Sequence, residues 1–140
     1  MQLEIINQVI GELQEAGKTV PKYVVDKPLT WISRLYVANQ LDKETDKERV
    51  YTIMHDVYEE KNFRYSKDVH GAYEAYIEEK VKFLLKLAKL SINVGQPPEK
   101  SVPYIDEALL MLDGSESVHP YINPNKVKSL RDEVSGMINN

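Results

Sequence analysis

Arg64 and His70 are the residues best equipped for chemistry, and six positions separate them. An imidazole titrates near neutral pH, and a guanidinium stays charged. Cleavage of an RNA phosphodiester needs both: a group that moves protons and a fixed cation beside the phosphate. The same pair also reads as a link arginine and a histidine at a helix N-terminus, both solvated. A second cluster is His55, Asp56, Glu59 and Glu60. His55 and Glu59 stand at i,i+4, a spacing that places both on one helix face and can hold a metal. A di-metal centre in a bundle, however, needs Glu-x-x-His motifs on two facing helices. The one such spacing here runs from Glu116 to His119, in a Pro- and Ser-containing loop. The expectation is therefore no metal and no cofactor, with the His55 cluster as a polar outer face.

Arginine followed by histidine at this distance, on or near a helix in an all-helical chain, resembles the motif of the HEPN ribonuclease family. That resemblance implies a metal-independent ribonuclease, or an inactive relative, with Arg64 and His70 at a dimer cleft. His70 would help activate the ribose 2′-hydroxyl or protonate the leaving group, and Arg64 would stabilise phosphate charge. Tyr65 departs from the small polar residue more usual at its place in that family.

Aromatic residues offer a different chemistry. There are nine tyrosines against two phenylalanines and one tryptophan. Tyr51, Tyr58, Tyr65, Tyr73 and Tyr76 fall on either side of one link. Tyrosine combines an apolar body with a polar tip and is enriched at interfaces. Trp31, Leu35, Tyr36, Tyr51, Tyr58, Tyr73 and Tyr76 together are the candidate binding surface. The competing use of the same side chains is packing at helix margins, with Trp31 as a core anchor.

Bulk properties exclude several classes. The net charge is −4, which disfavours a dedicated nucleic-acid binder. The absence of cysteine removes disulfides, thiolate nucleophiles and cysteine-ligated zinc. The N-terminal residues lack the basic and apolar regions of a secretory signal. No run is long and apolar enough to span a membrane. No Gly-rich phosphate loop, Gly-x-Ser-x-Gly elbow or acidic calcium loop is present. These features point to one domain over residues 1–140, in the cytosol.

The elements that would position these residues are all helical. Leu3, Ile6, Ile10 and Leu13 form a helical stripe that stops at Gly17, and Gly11 sits inside it. Thr19 to Lys27, with Pro21 and Val24-Val25, reads as an extended connector. A second helix begins at Pro28 and is apolar almost all round. Thr45 and Glu48 form a capping box for a third, with Val50, Met54, Val57 and Tyr58 as its stripe. Asp68 to Val94 reads as a central spine of about 40 Å. Gly95 caps it, and Pro97-Pro98 forbid continuation. The next helix starts near Ser101, with Pro103 in its first turn. Asn123-Pro124 opens the last.

The hairpin across Gly95, with Glu99, Tyr104, Ile105 and Ala108-Leu109 on its second arm, resembles half of a tetratricopeptide-type repeat. Pro97-Pro98 and Pro103 depart from that pattern, and no second copy follows. The chain is thus expected to be an all-α bundle of five or six helices around a long central helix. The leading functional expectation is a non-enzymatic helical protein that binds a partner protein, or itself.

Overall fold

The computed structural model describes residues 2–65 and 72–139. Among these residues the fold is all-α, with seven α-helices and no strand. The helices are α1 (Gln2–Glu15), α2 (Lys22–Asp26), α3 (Trp31–Gln40), α4 (Lys47–Glu59), α5 (Tyr73–Asn93), α6 (Val102–Asp113) and α7 (Pro124–Asn139). Short 3-10 turns at Pro98–Ser101 and Glu116–Val118 precede and follow α6. The chain divides into two compact units, Met1–Arg64 and Tyr65–Asn140.

In the N-terminal unit, α1 buries Ile6, Val9, Ile10 and Leu13, the stripe expected from helical spacing. It packs on α3 and α4. Gly17 ends it at φ 82. The Gly17 N–H donates to Gln14 O and the Lys18 N–H to Leu13 O, each at 3.0 Å, the double closure that favours a left-handed residue. Gly11 has no such role. A Cβ built there meets nothing within 4 Å, so the glycine serves no close approach. Gly11→Ala is therefore expected to stabilise this unit by about 0.5–1 kcal/mol, read as a rise in the denaturation midpoint at unchanged slope.

The expected extended connector is instead the five-residue helix α2. Pro21 O accepts the N–H groups of Val24 and Val25, and Val24 is fully buried. Helix α3 starts at Trp31, not at Pro28. The Thr30 Oγ1 accepts the Ser33 N–H at 3.2 Å, and Pro28 belongs to the preceding turn. The Thr45–Glu48 capping box does not form either. Asp46 occupies the N-cap of α4 without a side-chain capping bond. Asp42 takes the free amides one turn earlier, accepting from Glu44 at 2.8 Å and Thr45 at 3.0 Å. Those two bonds hold its carboxyl below the ordinary value. Helix α4 buries Val50, Ile53, Met54 and Val57. Arg49 ties it to α1 through a two-pronged bond to Glu12, at 3.0 and 3.1 Å.

Among the described residues, one charged side chain is buried in this unit. Arg34 on α3 is 3% exposed. Its Nη1 and Nη2 donate to the Glu60 carboxylate at 2.8 and 2.9 Å, and its Nε donates to Leu29 O at 2.9 Å. The C-terminus of α4 is turned toward this pair by Lys61 at φ 54, with Lys61 N–H to Tyr58 O and Asn62 N–H to Val57 O. This is the closure seen at Gly17, made without glycine.

In the C-terminal unit, α5 is the long element. Its 21 residues span about 31 Å. The expected spine of 68–94 includes 68–71, which lie outside the described residues. The buried face of α5 runs from Tyr76 and Ile77 through Val81, Leu84, Leu87 and Ala88 to Ser91. Gly95 closes it at φ 91, with Gly95 N–H to Ile92 O and Gln96 N–H to Ser91 O. The chain then turns through Pro98–Ser101 and returns as α6, which makes this unit's main helix pairing with α5. Ser101 stands at the N-cap of α6, but its hydroxyl donates to Pro98 O at 2.8 Å instead of capping. Pro103 lies in the first turn of α6, as its missing N–H requires. Helix α7 packs on α6 and on the Pro98–Ser101 turn. Arg131 meets Asp106 at 2.9 Å. His119, in the loop before α7, donates from Nε2 to Leu112 O at 2.7 Å.

Candidate interaction surface

The expected binding residues divide between the two units. Trp31, Leu35, Tyr36, Tyr51 and Tyr58 lie in the N-terminal unit, and all five are half-buried. Trp31 stacks on Phe63 with centroids 4.0 Å apart, so much of its ring is committed to packing. Tyr51 stacks on His55 at 5.3 Å. Tyr73 and Tyr76 lie at the start of α5 in the C-terminal unit.

At that start the structure assembles a tyrosine triad. Residues 73 and 76 stand at i,i+3, which brings their side chains together on one helix face. Tyr65 joins them from the preceding segment. Its ring meets Tyr73 edge-on at 5.2 Å and Tyr76 edge-on at 5.6 Å. Tyr73 and Tyr76 are 5.9 Å apart and tilted. Edge-to-face contacts of this kind are favourable because ring edges are positive and ring faces negative, each pair adding about 0.5–1.5 kcal/mol. The three rings have different exposures. Tyr76 is 7% exposed and anchors the group, whereas Tyr73 is 52% and Tyr65 38% exposed. The triad thus presents two exposed rings packed on a buried third. Tyr65 was absent from the expected surface. The sequence groups it with the tyrosines around the link, but with no helical period there its spacing does not place it beside Tyr73 and Tyr76.

Charge surrounds the triad unevenly. The Lys80 ammonium lies 5.9 Å from the Tyr76 centroid and 3.7 Å from the Glu107 carboxylate. Glu78 pairs with Lys82 at 3.1 Å. Glu74 and Glu79 are exposed. At 100° per residue they fall on opposite flanks of the Tyr73–Tyr76 stripe.

The other candidate residues gather less. Arg64 is exposed and engaged in an interaction within the structure. His70 lies outside the described residues, so the Arg64–His70 pair has no geometry here. His55 meets Glu59 at 3.2 Å and Asp56 at 3.9 Å, and the Gln2 Nε2 donates to Asp56 at 2.9 Å. This cluster is a hydrogen-bonded face joining α4 to α1. Among the described residues no group of three or more His, Cys, Asp or Glu is arranged to hold a metal, and no helix is long and apolar enough to cross a membrane. No family model, curated protein or solved structure matches the chain.

Proposed function

We propose that this chain is a small cytosolic helical protein that binds another protein, or a second copy of itself, and carries out no catalysis of its own. The observation that supports this reading is the triad of Tyr65, Tyr73 and Tyr76. Half-exposed tyrosines packed on one another offer large contact area at low entropic cost, because a tyrosine side chain has only two torsions to fix on binding. The half-buried Trp31, Leu35, Tyr36, Tyr51 and Tyr58 add tyrosine and aliphatic area on the N-terminal unit.

The test uses the exposure difference within the triad. Tyr65→Ala with Tyr73→Ala removes the two exposed rings. The double variant is expected to keep its helical circular-dichroism signal and to lose association, followed as solution mass over a concentration series or by pull-down of a partner. Tyr76→Ala, at 7% exposure, is expected to lower stability instead. Unfolding of the double variant would show the exposed rings to be structural and remove this reading.

A further inference from the structure

We propose that the tyrosine triad, together with Glu74 and Glu79, is a docking site for a cationic segment of a partner protein, one that presents arginine or lysine side chains. This rests on the reading of the triad as an interaction surface and names the chemistry of what it takes. Three observations carry it. The first is that the triad already holds a cation. Lys80 lies over the Tyr76 ring at 5.9 Å, within the range at which the negative face of an aromatic ring attracts an ammonium group. Lys80 is balanced by Glu107. The ring of Tyr73, 52% exposed, offers the same kind of face to an incoming cation.

The second observation is the placement of carboxylates. Glu74 and Glu79 flank the rings and are exposed. Glu78 is paired with Lys82, as Lys80 is with Glu107, so neither pair adds net charge. A guanidinium stacked on Tyr73 would have the exposed carboxylate of Glu74 as the next side chain along the helix, a partner that favours arginine over an apolar side chain. The helix dipole opposes this, since the N-terminus of α5 carries about half a positive charge. The two exposed carboxylates in the first two turns carry more charge than that half charge. An acidic peptide or a phosphate backbone would meet these carboxylates with like charge.

The third is the charge of the whole chain, −4. It steers basic partners in and repels acidic ones.

The test is fluorescence anisotropy of the full chain with three labelled peptides of equal length: an Arg-Gly repeat, a Glu-Gly repeat and a Ser-Gly repeat. The Arg-Gly peptide is expected to bind, more weakly as salt rises, and the other two are not. Tyr65→Leu with Tyr73→Leu keeps apolar bulk and removes the ring faces. It is expected to weaken Arg-Gly binding about tenfold, from the lost cation–ring contact at Tyr73. Glu74→Gln with Glu79→Gln is expected to weaken it further and to flatten the salt dependence. Unchanged binding in the leucine variant would reduce the effect to net charge and overturn the inference. Preference for the Glu-Gly peptide would also overturn it. If no peptide binds, but the Tyr65→Ala, Tyr73→Ala variant loses self-association, the cationic partner is refuted while the interaction surface stands. If that variant changes nothing in either assay, both fail.

Discussion

Glu60→Ala is expected to destabilise the N-terminal unit by about 3 kcal/mol, although Glu60 itself is half exposed. Arg34→Met, which removes the buried partner, is expected to cost only about 1 kcal/mol. The asymmetry follows from which charge is buried. Arg34 is 3% exposed, whereas the Glu60 side chain is 49% exposed. Truncating Glu60 leaves a guanidinium out of water with two N–H groups and a full charge uncompensated. Removing Arg34 leaves a carboxylate that water can solvate. Leu29 O, the other acceptor of Arg34, still receives the Asn62 Nδ2 at 3.0 Å, so no carbonyl is orphaned. The methionine occupies a similar volume in an apolar setting. Urea unfolding of both variants decides it. A larger loss for Arg34→Met would mean that the pair stabilises by its own attraction and not by covering a buried cation.

The same pair sets an acid limit. The hydrogen bonds from Arg34, with its charge, hold the Glu60 carboxyl below its ordinary value of 4.5. A carboxyl depressed in the folded state stabilises fully above its unfolded value. That stabilisation fades as pH falls through the lower folded value. Glu12, depressed by its bond to Arg49, acts in the same direction. Acid unfolding of this unit is therefore expected to begin below about pH 4.5. Arg34→Met is expected to differ from the parent by a constant amount at neutral pH and to converge on it as the pH drops further.

These features mark where sequence reasoning stops. The stripes of α1, α4 and α5 were legible because burial repeats with the helical period, and Ile6, Ile10, Val50, Met54, Ile77 and Leu84 are all buried. Gly17 and Gly95 were legible as stops because a left-handed residue favours glycine. Lys61 adopts the same conformation with no compositional signal, directly after Glu60, which is held by Arg34. Helix α2 is one turn long, too short for periodicity to be expressed, and Val24-Val25 therefore reads as extended. Thr45 and Glu48 match a capping pattern, but Asp42 already accepts the Thr45 N–H that Glu48 would take, together with that of Glu44. At the candidate surface, the i,i+3 pair of Tyr73 and Tyr76 was legible. The exposure that separates them, and the arrival of Tyr65, depend on packing that spacing alone does not contain.

Helix α5 supplies the second large effect, because its buried face mixes necessary and unnecessary groups. Leu84→Ala is expected to cost the C-terminal unit about 3 kcal/mol, from lost transfer energy and an unfilled cavity. Leu84 is fully buried on the helix that makes the unit's main pairing, and close-packed neighbours collapse only partly into such a space. Ser91, two turns on, is also fully buried. Its Oγ has no hydrogen-bond partner among the described residues. A buried hydroxyl without a partner loses its water and gains nothing in exchange. Ser91→Ala is therefore expected to stabilise the same unit by about 1 kcal/mol, with Leu84→Ala and Ser91→Ala moving the denaturation midpoint in opposite directions. Loss of stability in both would mean that the Ser91 hydroxyl is satisfied in solution. In that case its place on the α5 face would reflect a bond the folded chain needs, and not only the small side chain that helix packing there requires.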